Sequence, residues 1–211
     1  MSESARFWNW IAERYAKQPV PDEAAYQRKL EITRTYFAPH MQVLEFGCGT
    51  GSTAIAHAPH VAHIRAIDVS SKMLDIARRK AAAAGIDNVR FELSSIDALD
   101  APDASFDAVM AHSILHLVDD RDAVIAKIHR LLKPGGVFVT STMCIGDSPM
   151  LRAIGVVVRI GARLGLLPNL RSFTEKALVA SLARAGFEIE HHWKPKPVSA
   201  VFIIARKPAD G

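Results

Sequence analysis

Three glycines at alternate positions, Gly47, Gly49 and Gly51, stand where a short apolar run ends and an alanine-rich run begins. Glycine destabilises the interior of helices and strands, so three of them at such a junction indicate a turn with a special task. A glycine-rich turn between strand and helix lets the backbone approach a ligand and direct N–H groups at it. The spacing G-x-G-x-G is one residue tighter than the dinucleotide fingerprint G-x-G-x-x-G, and Glu45 precedes it. Because a carboxylate disfavours a neighbouring pyrophosphate, this turn suits a ligand with an ammonium group.

Two histidines, His112 and His116, lie just after the fourth predicted strand, in the sequence AHSILHL. The ordinary pKa of histidine is close to neutrality, so an imidazole beside a bound substrate can accept the proton of a hydroxyl, amine or thiol. The alternative is a structural histidine that packs against the next helix. A third group, His57, His60 and His63, spans a helix end, a proline and a strand start. These rings do not converge on one point, so we expect no metal site.

The elements that position these residues alternate between strand and helix from residue 42 to 140. The predicted strands cover 42–46, 63–68, 88–93, 105–111, 136–141, 187–193 and 200–206, and the predicted helices cover 4–17, 22–37, 51–58, 71–84, 120–132 and 174–185. Such alternation predicts right-handed crossovers and a parallel sheet. No helix separates the final two strands, so we expect the last one to be antiparallel. The predicted fold class is α/β: a Rossmann-like, doubly wound, seven-stranded sheet, mostly parallel with an antiparallel last strand and with helices on both faces.

The whole chain fits one globular domain, because 211 residues with 49% hydrophobic and 23% charged residues can bury a sizeable core. The formal net charge of +4 comes from scattered Lys and Arg without a basic-aromatic motif, so nucleic acid is not an expected partner. Two cysteines without a CxxC pair favour a cytoplasmic location. The N-terminal sequence carries too many charges for a signal peptide, and no apolar run approaches the length of a membrane span.

The segment LEFGCGTG resembles the first motif, acid-x-G-x-G-x-G, of class I S-adenosylmethionine-dependent methyltransferases. The resemblance continues through AIDVSSKMLDIARRKA and FELSSIDALDAPDASFDAV to SILHLVDDRDAVIAKIHRLLKPGGVFV, so several motifs follow in order over about residues 40–142. Within that family the sequence is most similar to the ubiquinone/menaquinone-type methyltransferases of small molecules. The resemblance implies S-adenosylmethionine as cofactor and direct nucleophilic attack of a small-molecule acceptor on its methyl group.

The resemblance also implies roles for individual residues at the cofactor. The glycine turn would surround the methionine part and the ribose, Glu45 would hold the ammonium group, and Asp68 would accept hydrogen bonds from both ribose hydroxyls. The residues implied at the cofactor are Tyr15, Glu45, Gly47, Cys48, Gly49, Gly51, Asp68, Val69, Met73, Ser95, Ile96 and Ala111. The family often has an acid after the third strand that accepts the adenine amine, whereas this sequence has Ser95 there and Asp97 two residues later. Either side chain is a candidate for that contact, and Ile96 is a candidate for a backbone N–H.

Four aromatic side chains, Phe7, Trp8, Trp10 and Tyr15, crowd the first predicted helix. We predict that residues 1–38 form a helical lid over the site. In this lid Phe7, Trp8 and Trp10 would contact the substrate together with His112, and Tyr15 would touch the methionine end of the cofactor. The alternative is simple packing of the helix on the body of the domain.

A second amphipathic segment covers residues 149–167, within a predicted substrate-cap insertion at 143–173. Arg152, Arg159 and Arg163 share one helical face, and Leu, Ile and Val occupy the other. Such a helix can cover the sheet edge, an apolar substrate pocket, a dimer partner or a membrane surface. The cofactor-binding core at 40–142 and a C-terminal helix with two strands at 174–211 complete the single predicted domain of residues 1–211.

The expected acceptor is a small, partly apolar molecule, because both candidate lids are aromatic or aliphatic. A phospholipid at a membrane surface is the alternative acceptor. A nicotinamide-dependent oxidoreductase is a rival function, which the tight glycine spacing and Glu45 disfavour. A protein that binds the cofactor without catalysis is the other rival.

Overall fold

The structure is a computed structural model that describes residues 3–148, 170–196 and 199–209. Its strands are β1 (Gln42–Phe46), β2 (His63–Asp68), β3 (Val89–Leu93), β4 (Phe106–His112), β5 (Leu132–Thr142), β6 (Glu188–Trp193) and β7 (Val201–Arg206). Its helices are α1 (Glu3–Ala16), α2 (Glu23–Arg34), α3 (Ser52–His57), α4 (Ser71–Ala83), α5 (Arg121–Leu131) and α6 (Glu175–Arg184). The predicted amphipathic segment at 149–167, with its proposed cap or membrane contact, lies outside the described residues. None of the helices in the described part of the chain combines the length and apolar character needed to cross a bilayer.

The seven strands form one sheet in the order β3-β2-β1-β4-β5-β7-β6. Neighbouring strands from β3 to β5 pair in parallel, whereas β7 pairs antiparallel with both β5 and β6. The predicted seven-stranded, mostly parallel sheet with an antiparallel last strand is therefore confirmed. The strand order reverses between β1 and β4, and α/β sheets bind ligands at the carboxyl ends of strands beside such a point.

Both faces of the sheet are covered, which explains why its central strands are almost continuously apolar. In β1, Val43 belongs to one core cluster, and Leu44 and Phe46 belong to a second cluster on the other face. Leu74 of α4 packs in the first cluster and Ile125 of α5 in the second. The core thus holds the ends of β1 to β4 in a fixed arrangement, which any site at those ends requires.

Two element boundaries differ from the predicted ones by more than one residue. Helix α2 ends at Arg34 rather than at residue 37. The hydroxyl of Thr35 donates a hydrogen bond of 2.7 Å to the carbonyl of Ile32 and so satisfies one of the carbonyl groups at the end of the helix. Strand β5 begins at Leu132, before the KPGG sequence, because Leu132 already pairs with Phe106 ahead of a register shift. Neither difference moves a residue of the predicted site.

Candidate functional site

A cavity of about 350 Å³ lies at the carboxyl ends of β1 to β4, where the strand order predicts a ligand. This volume falls within the usual range of small-molecule sites, about 300–1,000 Å³. Helix α1 and the turns that follow the four strands form its walls. The lining residues are Ser4, Trp8, Tyr15, Phe46, Gly47, Gly49, Asp68, Val69, Met73, Ser94, Ser95, Ile96, Asp97, His112, Ser113, Ile114, Leu117, Val118 and Asp119.

The glycine turn between β1 and α3 forms one wall of the cavity. Gly47, Gly49 and Gly51 have φ angles of 64°, 53° and 75°, in the left-handed region that favours glycine. A Cβ built on Gly49 would meet no atom within 4 Å, so at this position bare backbone faces open space. A Cβ built on Gly51 would instead lie 2.8 Å from the Cβ of Ala77, so glycine here permits close packing against α4.

Asp68 ends β2 and is tied to the glycine turn. Its carboxylate accepts hydrogen bonds of 2.8 Å from the backbone N–H groups of Gly49 and Ser70. Burial raises the pKa of Asp68, and these backbone N–H groups together with that of Val69 oppose the rise. A carboxylate has about four acceptor positions, so one that two N–H groups fix in place can still accept from the two hydroxyls of a ribose.

Glu45 is the second acid of the turn, and it is buried without lining the cavity. Its Oε2 has no hydrogen-bond partner among the described residues. Burial, and then the charge of Asp68, raise the pKa of Glu45 to about 8, while the backbone N–H of Ala54 lowers it. A buried, unpaired carboxyl oxygen is costly, and a cation bound close to the glycine turn would lower that cost. This orphaned oxygen therefore fits the ammonium group of the expected cofactor.

The turn after β3 offers two polar side chains at the β2–β3 end of the cavity. The Oγ of Ser95 accepts a hydrogen bond of 3.1 Å from the N–H of Ala98, so it is engaged in a local turn. Asp97 lines the cavity, and no hydrogen bond within the described part of the chain engages its carboxylate. Ile96 lies between them in the cavity wall. The geometry favours Asp97 over Ser95 as an acceptor for an amine.

Helix α1 brings Trp8 and Tyr15 to the cavity, with their rings nearly perpendicular and 6.1 Å apart. Burial, and then the charge of Asp68, raise the pKa of Tyr15. The other two aromatic residues of α1, Phe7 and Trp10, do not line the cavity, and Trp10 is 77% exposed. The structure thus places only one aromatic face of the helix at the site.

Asn9 fastens α1 to the first turn of α4. Its Oδ1 accepts hydrogen bonds from the hydroxyl of Ser70 at 2.8 Å and from the N–H of Lys72 at 3.1 Å. Ser70 caps α4 and donates its own N–H to Asp68. The helix that covers the cavity and the acid expected at the ribose are therefore linked through one serine.

The two candidate histidines occupy different surroundings. His112 ends β4 and lines the cavity, and its Nε2 is buried with no partner among the described residues. Burial, and then the charge of Lys29, lower the pKa of His112 to about 4. His116 does not line the cavity: its Nδ1 lies 3.1 Å from the Oγ1 of Thr142, and burial lowers its pKa to about 4. Both rings are uncharged at neutral pH, but of the two residues only His112 lines the cavity.

Several other residues predicted from the sequence lie outside the cavity wall: Phe7, Trp10, Glu45, Cys48, Gly51, Ala111 and His116. Burial raises the pKa of the Cys48 thiol, so this residue is a small packed side chain rather than a reactive nucleophile. The carbonyl of Ala111 accepts a hydrogen bond of 3.1 Å from Thr140, inside the sheet.

Other lining residues were not predicted from the sequence: Ser4, Phe46, Ser94, Ser113, Ile114, Leu117, Val118 and Asp119. Five of them belong to the SILHLVDD stretch after β4. A Cβ on Gly47 would lie 2.6 Å from the Cγ1 of Ile114, so that glycine lets this stretch approach the turn. Ser113 has a φ of 55°, unusual for a residue with a side chain. The parallel pairing of β1 with β4 brings the stretch after β4 to the glycine turn.

The comparisons with known proteins agree with this geometry. Residues 43–136 match a protein family described as "Methyltransferase domain". The ubiquinone biosynthesis O-methyltransferase of Paracidovorax citrulli is 36% identical over 131 residues, which are 61% of this chain and 53% of that protein. The demethylmenaquinone methyltransferase of Symbiobacterium thermophilum is 32% identical over 112 residues, which are 51% of this chain and 45% of that protein. The chain spans about half the length of the curated relatives it matches.

Among solved structures, that of the YcgJ protein from Bacillus subtilis superposes with a TM-score of 0.70 over 88% of this chain and 100% of that one. The sequence identity is 18%, so this likeness supports the fold alone. The orphaned oxygen of Glu45, the open backbone at Gly49 and the fixed carboxylate of Asp68 fit the ammonium group, methionine part and ribose of S-adenosylmethionine. The match of residues 43–136 to a methyltransferase domain, the curated relatives and this geometry together support a class I S-adenosylmethionine-dependent methyltransferase with S-adenosylmethionine as its cofactor.

Proposed function

We propose that the protein is an enzyme that transfers a methyl group from S-adenosylmethionine to a small, partly apolar acceptor bound at the β4 end of the cavity. The observation that carries this proposal is that His112, whose Nε2 has no hydrogen-bond partner among the described residues, lines the same cavity as Asp68 and Gly49. A cavity with carboxylates after β2 and β3 and an imidazole after β4 suits a nucleoside at one end and a nucleophile at the other.

Three acidic residues would each bind a different part of the cofactor. Asp68 would accept from the ribose hydroxyls, Asp97 from the adenine amine, and Glu45 would hold the ammonium group from behind the glycine turn. When bound, S-adenosylmethionine supplies a methyl carbon whose bond to sulfur breaks, with its electron pair leaving on sulfur, as a lone pair of the acceptor forms the new bond. Fixed alignment and exclusion of water by α1 are the chain's main contributions to that transfer.

His112 has a second task when the acceptor atom carries a proton. Its Nε2 is uncharged at neutral pH, so it can take the proton that a hydroxyl loses as the new bond forms. A base of low pKa suffices here, because an oxygen that gains a methyl group before losing its proton becomes strongly acidic. His116 has no comparable access, since its ring contacts Thr142 instead.

The apolar character of the acceptor is supported by the cavity wall, where Phe46, Trp8 and Ile114 lie with His112. It is also supported by the relatives named for ubiquinone biosynthesis and for demethylmenaquinone. An apolar molecule with one reactive hydroxyl would place its body on these side chains and its oxygen at the imidazole.

The experiment that tests the proposal measures S-adenosylhomocysteine by mass spectrometry after incubation with S-adenosylmethionine and a panel of acceptors. The panel contains apolar phenols and quinols, matched polar phenols, and phospholipid vesicles, with wild type and His112→Gln run side by side. We expect turnover with apolar phenols or quinols, a loss of about 10²–10⁴-fold in His112→Gln, and cofactor affinity unchanged in that variant.

Other outcomes count against the proposal in distinct ways. Turnover confined to vesicles would favour the phospholipid alternative. Cofactor binding without any product would favour a binding protein without catalysis. Full turnover by His112→Gln would show that His112 is not a general base and that alignment of the acceptor with the methyl group is sufficient.

A further inference from the structure

A half-buried lysine contact lies beside His112, outside the cavity wall. The Nζ of Lys29, on α2, donates a hydrogen bond of 2.8 Å to the Oγ of Ser141 on β5. Ser141 is 3% exposed and pairs with His112 in the parallel β4–β5 register. Partners in a parallel register carry their side chains on the same face of the sheet, so the lysine, the serine and the imidazole are neighbours.

The contact is an unusual place for an ammonium group. Burial lowers the pKa of Lys29, and the charge of Asp22 only partly opposes this. No ion pair to Lys29 occurs within the described ranges, and Ser141 is the hydrogen-bond partner that the structure gives it. Lys29 is half-buried and its partner is a serine hydroxyl rather than an anion, and partial burial of a cation without an anion carries a cost. The charge is therefore expected to serve something close by.

His112 is the group that this charge acts on. Around the imidazole, α2 presents Lys29, α3 presents His57, and β1 presents Glu45 on the same face of the sheet. Glu45 is a protonated acid at neutral pH in this structure, and His57 is an uncharged imidazole because burial lowers its pKa to about 3. Lys29 is thus the formal charge that these three elements bring to His112.

We propose that Lys29 is a positioning residue for His112: its ammonium group, held by Ser141 beside the ring, lowers the affinity of the imidazole for a proton beyond the effect of burial. A positive charge beside the ring disfavours a second positive charge on it, so a proton from solvent does not bind Nε2 before the acceptor binds. The same charge favours release of the proton that the ring takes from the acceptor, so the ring is uncharged again after each transfer. This inference rests on the base role of His112 in the proposed function.

The test follows the titration of the His112 ring by NMR, with His112→Gln identifying its signals. Lys29→Met removes the charge and keeps the length, whereas Lys29→Arg keeps the charge. Lys80→Met is a matched control, because Lys80 also donates to a serine hydroxyl, that of Ser52. We expect the midpoint of His112 to rise by on the order of one pH unit in Lys29→Met and to stay unchanged in Lys29→Arg and Lys80→Met.

A midpoint that stays the same in Lys29→Met would overturn the inference. So would a rise of equal size in Lys29→Arg, because it would assign the effect to packing rather than charge. If Lys29→Met fails to fold, Lys29→Gln with the same readout replaces it. In the turnover assay the acid limb of kcat/KM should move upward with the midpoint. Because the NMR readout needs no acceptor, it decides the role of Lys29 even if His112→Gln remains fully active.

Discussion

At the scale of single residues, the two acids beside the glycine turn, Glu45 of β1 and Asp68 of β2, lie in opposite surroundings. The carboxylate of Asp68 is held by backbone N–H groups at 2.8 Å, and it lines the cavity. Glu45 is buried with an unpaired Oε2, and its pKa is raised to about 8. We therefore expect the carboxylate of Asp68 to accept hydrogen bonds from a neutral diol. We expect Glu45 to lose its proton when a cationic ligand binds close by.

The adenine contact gives a prediction at this scale. Asp97→Asn should weaken S-adenosylmethionine binding by about 5- to 50-fold, because the free carboxylate would lose a charged hydrogen bond to the amine. Ser95→Ala should change affinity by less than about twofold, since the Ser95 hydroxyl is already bonded to Ala98. Titration calorimetry of both variants checks the pair. Equal losses, or a larger loss in Ser95→Ala, would assign the contact to the serine.

At the scale of elements, the junction of α1 with α4 determines how the cavity is covered. Ala12 of α1 packs against Met73 and Ile76 of α4 in a small core cluster of its own. Asn9 adds the polar contacts to Ser70 and Lys72. Helix α1 is therefore attached to the helix whose cap also fixes Asp68, so we expect the docking of α1 and the position of the Asp68 carboxylate to depend on each other.

Removing the Asn9 contact should loosen the lid and the cofactor site together. In Asn9→Ala we expect faster amide hydrogen exchange in residues 5–16 and cofactor affinity lowered by about 3- to 10-fold, the effect of losing about one net hydrogen bond. Asn9→Asp keeps the accepting oxygen and should behave more like wild type. Gln27→Ala, which removes a bond within α2 only, is the control. Faster exchange without any change in affinity would show that the docking of α1 does not affect cofactor binding.

At the scale of the whole molecule, much of the fold follows from local pattern. The alternation of strands and helices, the serine cap of α4 and the glycine turn predict the sheet and place Asp68 at the end of β2. The exposure of Trp10 was not predictable, because aromatic residues occur around α1 and the sequence does not show which face packs. The engagement of Ser95 by Ala98 depends on one turn geometry that composition does not encode.

The position of Lys29 beside His112, through the Lys29–Ser141 hydrogen bond, is the feature that the sequence predicts least. It needs α2, β4 and β5 to meet, across separations of 83 and 112 residues in the chain, and only the sheet order brings them together. Local patterns assign each residue to an element but do not show which side chains meet across elements. The cofactor residues at the strand ends were accessible to sequence reasoning because one topology rule places all of them at the same edge.

The buried titratable groups predict how stability depends on pH. His57, His112 and His116 have folded-state pKa values of about 3, 4 and 4, below the ordinary 6.5, so the unfolded chain binds more protons between those values and 6.5. Their contribution is complete above pH 6.5 and is lost as the pH falls. Glu45 has a pKa raised from 4.5 to about 8, so its contribution is lost as the pH rises through 8.

For the protein without cofactor, these four groups together place the stability maximum near pH 6.5. We expect the free energy of unfolding to fall by about 1–3 kcal/mol per buried histidine on acidification to pH 4. Urea unfolding across pH 4 to 9 measures this. In Glu45→Gln the decline above pH 6.5 should disappear while the acid limb remains. An unchanged decline would remove Glu45 from the explanation.

The most direct test of the central claim is calorimetric titration of wild type and Asp68→Ala with S-adenosylmethionine, and of wild type with NADH. The site described here predicts binding of S-adenosylmethionine to wild type, binding weakened by about 1–3 kcal/mol in Asp68→Ala, and no binding of NADH. Equal affinity of the two proteins for S-adenosylmethionine, or preference of wild type for NADH, would contradict the assignment of this cavity as the cofactor site.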